Sequence, residues 1–174
     1  MKILYLDIET RNVNFKDPGF HKAAFMLCAV MKSDIHPFLE TTSELRESGW
    51  WKLVVSMEWA DRIVGHNILG FDLPIIRQQL LGFYAAEEFD AKFLPKSYDT
   101  CGLLYEKHGK RYSLANLAKW NGLGEKTLQD ENRSMGELWD AGEYSKVLMH
   151  CAHDVKLVEG VYRLMQEDKL ILEY

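Results

Sequence analysis

The sequence predicts an α/β protein, a mixed central sheet with helices on both faces. Three observations carry this. The chain opens with a strand, Lys2 to Glu9, that is apolar on both faces until its end, as a strand in the middle of a sheet should be. Two further strand-like runs, Phe25 to Met31 and Ile35 to Leu39, are separated only by Lys32-Ser33-Asp34, short enough for an antiparallel hairpin. After them, helix-like and strand-like segments follow one another to the end of the chain, without repeats or an inter-domain linker.

The elements follow in order. In the opening strand Ile3, Tyr5, Asp7 and Glu9 share one face, and Leu4, Leu6 and Ile8 the other. Residues 11–22 are polar, contain Asp17-Pro18-Gly19 and read as a loop. Ser43 and Glu44 open a helix to about Trp59, supported by Leu45, Leu53 and Met57, with Gly49 weakening its middle. Trp50, Trp51 and Trp59 are assigned to helix packing. Arg62 to Val64 is a short strand before Gly65-His66-Asn67. Asp72 to Leu81 reads as a helix, with Leu73, Ile76 and Leu80 on one face, Pro74 in the first turn and Gly82 at the stop. Residues 84–96 show no regular pattern. Tyr98-Asp99-Thr100 closes a short strand or begins a helix. Ser113 suits the N-cap of Leu114 to Trp120, and Gly122 its end. The last helix runs from about Glu143 to Gln166, with Cys151, Val155, Val158, Tyr162 and Met165 as its buried stripe.

Bulk properties narrow the function. The 174 residues fit a single domain spanning 1–174. A net charge of −5 argues against a protein that coats DNA passively through a broad basic surface. It leaves room for an enzyme that holds phosphate through divalent cations, because such a site is built from carboxylates. Cys28, Cys101 and Cys151 are odd in number and lie in apolar contexts, so they read as reduced core residues of a cytoplasmic protein. No apolar run is long enough to span a bilayer, and no membrane partner is expected.

Chemistry concentrates in three places. Asp7 and Glu9, two apart on a strand, emerge on one face about 6.5–7 Å apart along the backbone. Two carboxylates there repel each other and resist desolvation, and a bound divalent cation removes both costs. Alternatively, they simply mark the strand's exposed end. The second unit is Gly65-His66-Asn67-Ile68-Leu69-Gly70-Phe71-Asp72-Leu73-Pro74. Its turn follows a strand, where ligands bind in open α/β sheets; Asp72, taken alone, is explained by helix capping. The third is His150-Cys151-Ala152-His153-Asp154. His150 and Asp154 are neighbours one turn apart, suited either to a base beside a metal site or to an ion pair on a partly exposed face. His153 lies roughly 100° around the helix from Asp154 and points elsewhere.

The three motifs occur in an order that resembles the DEDD superfamily of 3′–5′ exonucleases, which have the ribonuclease H-like fold. Asp7-Ile8-Glu9-Thr10 matches the first motif, Gly65-His66-Asn67 with Phe71-Asp72-Leu73-Pro74 the second, and Asp154-Val155 the third. The nearest branch is that of stand-alone exonucleases related to the proofreading domain of family-B DNA polymerases. Tyr112-Ser113-Leu114 with Leu117-Ala118, and Cys151 with His153-Asp154-Val155, resemble its middle and last helices. The likeness covers residues 1 to about 165. The superfamily carries Tyr four residues before the final Asp, or His five before it. Here those positions hold His150 and Met149, so the spacing is that of the tyrosine class with histidine in the slot.

The resemblance implies a metal-dependent 3′–5′ exonuclease acting on single-stranded nucleic acid, DNA in preference to RNA, with two divalent cations, Mg²⁺ or Mn²⁺. It implies that Asp7 bridges both ions, that Glu9 and Asp154 complete one site, and that Asp72 holds the other. His150 then orients or deprotonates the attacking water. Thr10, Asn67 and Phe71 are the expected substrate contacts, and His66 is expected to be structural. Lys107, His108, Lys110 and Arg111 form a basic run that suits either strand phosphates or a solvated loop. No protein partner is named by the residues. Two alternatives stand: a catalytically weak nuclease-like domain that binds nucleic acid or a partner protein, and a phosphatase or nucleotidase using the same carboxylates.

Overall fold

The computed structural model describes residues 1–11, 13–14, 16–33, 39–42, 46–125 and 133–173. Five strands form one mixed sheet: β1 (Ile3–Arg11), β2 (Phe25–Ser33), β3 (Leu39–Thr42), β4 (Arg62–Gly65) and β5 (Ser97–Asp99), in the order β3-β2-β1-β4-β5. The pairs β1–β2 and β2–β3 are antiparallel, whereas β1–β4 and β4–β5 are parallel. Eight helices were assigned among the described residues: α1 (Phe20–Ala23), α2 (Arg46–Trp59), α3 (Asp72–Gln79), α4 (Ala86–Phe93), α5 (Thr100–His108), α6 (Leu114–Trp120), α7 (Met135–Asp140) and α8 (Tyr144–Gln166). A central mixed sheet with helices on both faces is the ribonuclease H-like arrangement, as the sequence predicts.

The strand alternation explains why there are two cores. Leu4, Leu6 and Ile8 face one layer, where they meet Leu53 and Met57 of α2, Ile75 and Ile76 of α3, and Phe89 and Phe93 of α4. Tyr5 faces the other, with Leu117 of α6, Trp139 of α7, and Val147, Cys151, Val155 and Val158 of α8. Asp7 and Glu9 follow Tyr5 in the alternation and therefore lie on the α8 side. There β2 is irregular: Glu9 pairs with Cys28 and Thr10 with Met26, so Leu27 is an extra residue. Leu27 and Cys28 consequently both enter the α8-side core. A bulge of this kind bends the strand and re-aims neighbouring side chains.

Several boundaries differ from the sequence reading. The strand opposite β2 is Leu39–Thr42, and β2 itself runs through Ser33, the middle of the expected turn. The rest of that turn, the expected strand start at Ile35, and the helix openers Ser43 and Glu44 lie outside the described residues. The segment 11–22 ends in α1. Residues 84–96 hold α4 and a 3₁₀ turn, because Phe89 and Phe93 lie one helical turn apart and are both buried. The reading also lacked α7, whose Ser134 and Glu137 form a reciprocal capping box. Trp50 and Trp59 pack on the core as expected, but Trp51 is exposed and meets Phe83 at the surface. No described helix is long and apolar enough to cross a membrane.

Candidate active site

Three elements deliver the predicted acids. Asp7 and Glu9 come from the C-terminal half of β1, Asp72 from the start of α3, and Asp154 from the middle of α8. The pairing of β1 with β4 ends at Tyr5–Val64, so β1 continues past its parallel neighbour. Asp72 enters beside that stretch, which β2 pairs and β4 does not. Its carboxyl accepts hydrogen bonds from its own N–H and from Ile8 N–H, and lies close enough to Asp7 to feel its charge. Asp72 does not cap its helix; the N-cap position is Phe71, and Asp72 is the first helical residue. The capping explanation of this acid therefore falls away. Burial first, and Asp7 second, push the Asp72 carboxyl well above the ordinary carboxylate range.

On the opposite side α8 presents three chemically active residues, His150, Cys151 and Asp154, within about one turn. His150 Nε2 lies 3.6 Å from Glu9 Oε1 and 3.8 Å from Asp154 Oδ2, so one imidazole nitrogen sits between carboxylates of two elements. Both His150 and Asp154 are buried, at 5% and 4% exposure. That excludes the partly exposed face on which a surface ion pair would sit. Between them in sequence, the Cys151 thiol donates to Asp7 O and Asp7 Oδ2, each at 3.3 Å. Asp7, Glu9 and Cys151 offer ligand atoms that all lie within 4.8 Å of one another, a grouping able to hold a metal ion. Burial, a hydrogen bond with Cys28 and the charge of Asp7 raise the Cys151 thiol well above its usual range. His153 stands apart: its Nε2 is buried without a hydrogen-bond partner, and no described contact brings it to the acids.

The residues expected to touch substrate border this centre. Thr10 follows the bulge and is half-buried. Phe71, next to Asp72, stacks on Phe20 of α1 with ring centres 5.9 Å apart and planes inclined by 15°. Asn67 adopts φ 64°, left-handed backbone that costs of order 1–3 kcal/mol outside glycine and persists where the surroundings impose it. The surroundings are explicit. Asp99 accepts Asn67 N–H at 2.8 Å, Leu69 N–H at 3.1 Å and Gly102 N–H at 3.0 Å, so it caps α5 and ties the loop with one carboxylate. His66 is structural as expected, bridging Thr100 Oγ1 and the Tyr112 carbonyl at 2.9 Å each.

Sequence reasoning missed Cys151 as a neighbour of Asp7, Asp99 as the loop's anchor and Phe20 as the partner of Phe71. Only Asp99 left a signal, since an acid before Thr100 is a good N-cap. Cys151 fits the apolar stripe of α8 so well that its second contact is invisible in the periodicity.

Among known protein families none matches this chain, and no curated protein does either. Among solved structures it is similar to the family B DNA polymerase from the hyperthermophilic archaeon Pyrobaculum calidifontis, with a TM-score of 0.66 and 18% identity. The match covers 95% of this chain and 24% of that one, so the chain spans about a quarter of the polymerase. At that identity the likeness speaks for the fold.

Proposed function

We propose that this protein is a metal-dependent 3′–5′ exonuclease that hydrolyses the terminal phosphodiester bond of single-stranded nucleic acid, DNA in preference to RNA. The observation that carries the reading is the gathering of Asp7, Glu9, Asp72 and Asp154 with His150, from three elements, around the open C-terminal half of β1. The polymerase neighbour supports it, since the motif resemblance is to the proofreading branch of that polymerase family.

The donor set fits divalent cations. Burial first, and the charge of Asp7 second, drive Asp72 towards its neutral form, a conflict that a cation between the two acids would relieve. Carboxylate oxygens suit Mg²⁺ or Mn²⁺. Asp7, Glu9 and Asp154 would hold one ion, and Asp7 with Asp72 the other. Bound there, such ions acidify water and stabilise the negative charge that builds on phosphate.

The chain's own groups supply the remaining steps. His150 presents Nε2 between Glu9 and Asp154, where it orients the attacking water and takes its proton. The new P–O bond forms as the bond from phosphorus to the 3′ oxygen breaks, and that oxygen takes a proton from solvent and leaves as a 3′-hydroxyl. The product is a nucleoside 5′-monophosphate. The Phe71 ring, backed by Phe20, offers a face for the terminal base. Thr10 and Asn67 flank the strand end.

The test is cleavage of a labelled single-stranded oligonucleotide with and without Mn²⁺. Mononucleotides should appear from the 3′ end, and Asp7→Ala should abolish them. Full cutting by Asp7→Ala, or in excess EDTA, would overturn the mechanism. Metal-independent strand binding without any cleavage would replace it with a binding role.

A further inference from the structure

The basic run around residue 110 divides in space. Lys107 and His108 line a cavity of about 650 Å³ with Leu170 and Leu172, and none of Asp7, Glu9, Asp72 and Asp154 borders it. Lys110 lies over the Tyr112 ring. Arg111 turns towards the candidate active site: its Nη1 donates to Asn67 Oδ1 at 3.2 Å, with the guanidinium 5.4 Å from the centre of the Tyr105 ring.

What Arg111 grips is a fixed post. Asn67 has left-handed backbone, and its loop is tied to α5 through Asp99 and through His66. Its amide also rests against Gly70, where an added Cβ would stand 2.7 Å from Asn67 Oδ1. Any larger residue at 70 would force the amide to shift. From Asn67 the chain runs through one turn to Asp72, so the guanidinium is anchored to the loop that delivers an acid to the centre.

Arg111 is also electrostatically unspent. Arg11, Arg77, Arg133 and Arg163 each pair with a carboxylate. Among the described residues Arg111 has no such pair, and it is exposed. A guanidinium using one donor on an amide and part of one face on a ring keeps several N–H groups for a doubly hydrogen-bonded anion.

We propose that Arg111 holds an internucleotide phosphate of the bound strand, upstream of the phosphate that is cut, and that Asn67 is the positioning residue that aims it. This rests on the exonuclease reading and adds to it a second point of grip: the acids act on the terminal phosphate, and Arg111 recognises that a strand continues beyond it. The protein would thus select oligonucleotides over substrates with a single phosphodiester.

The experiment compares a single-stranded oligothymidylate with the p-nitrophenyl ester of thymidine 5′-monophosphate, which has no upstream phosphate. For Arg111→Ala, the oligonucleotide-to-ester ratio of kcat/KM should fall about ten- to a hundred-fold, the range for a hydrogen bond to a charged group. The loss should appear in KM for the oligonucleotide more than in kcat. Fluorescence anisotropy of the labelled oligonucleotide in EDTA gives a readout independent of cutting. There the slope of log affinity against log salt should lose about 0.7, the value for one phosphate contact on a single strand. Arg111→Lys should restore that slope and only part of the affinity, because a point charge releases the counterion without the paired hydrogen bonds. Equal losses on both substrates, or an unchanged salt slope in Arg111→Ala, would overturn the proposal. Should the wild-type protein cut neither substrate, the exonuclease reading falls, and the anisotropy measurement alone decides for or against Arg111.

Discussion

Glu159 and Asp72 are both buried carboxylates, at 8% and 4% exposure, and they are buried on opposite terms. Glu159, on α8, lies between Lys32 of β2 and Arg163 one turn along its own helix. Cations share its pocket. Asp72, near the other end of β1, is driven towards the neutral form by burial and by the charge of Asp7. A third acid, Asp99, is accommodated by three backbone N–H groups. The lesson is about cause. Ion pairing and amide donors are how a protein buries an acid for the sake of its structure; crowding one acid against another stabilises nothing in the bare chain. The Asp72 region therefore makes sense as a place for something that binds there, and the Glu159 region as part of the frame.

The largest expected effect lies in the reactive region. His150→Ala should lose about 10²–10⁴-fold in cleavage rate, the usual worth of general-base assistance, while Mn²⁺ still stabilises the fold. His150→Tyr should recover part of the loss, because a phenol oxygen from the same turn reaches towards the same carboxylates. His153→Ala should stay within a few-fold on the same assay. A greater loss from His153→Ala than from His150→Ala would place the base one helical step away and detach the imidazole from the acids it faces.

How much of this contrast was legible in the chain differs by residue. The alternation of β1 placed Asp7 and Glu9 on one face and Leu4, Leu6 and Ile8 on the other, and the structure keeps that division. Ser113 caps α6 as expected, and Gly122 ends it with φ 64°. The neighbourhood of His150 and Asp154 followed from helical spacing alone. Their burial did not, because it comes from β1 packing across α8. Nor could the sequence show the extra residue at Leu27, since a bulge exists only in the pairing of two strands. The helix start at Asp72 was legible, but the capping role offered for Asp72 was not borne out, since Phe71 holds the N-cap position and makes no side-chain cap. The Lys32–Glu159 pair joins residues 127 apart and left no local trace.

A smaller effect tests the frame. Glu159→Gln should destabilise the protein by about 1–3 kcal/mol in denaturant titrations, less than a fully buried pair would lose because Lys32 reaches solvent. Mn²⁺ should shift this variant's melting temperature as much as that of the wild type. Loss of the Mn²⁺ shift in Glu159→Gln would mean that the two regions are not separable, and the contrast would lose its basis.

The smallest effect has the opposite sign. Asp72→Asn should stabilise the protein in EDTA at neutral pH, because the amide keeps an acceptor for Ile8 N–H and removes the charge that burial and Asp7 oppose. The pH dependence follows from the direction of the shift. In the unfolded chain an aspartate titrates near about 3.9. In the folded chain Asp72 titrates higher, so the folded state binds the proton more tightly. Its contribution is fully favourable below the unfolded value and is lost as pH rises through the folded one. The stability advantage of Asp72→Asn over wild type should therefore grow as pH is raised from about 4 and level off once wild-type Asp72 is ionised. Adding Mn²⁺ should shrink or reverse the advantage, since an ion that binds only the folded wild-type site stabilises that state by mass action. Chemical denaturation of both proteins across pH, with EDTA and then with Mn²⁺, measures all of this. If Asp72→Asn is the less stable protein in EDTA at every pH, the carboxylate is compensated from within the chain as Glu159 is, and the acids need no ion to explain them.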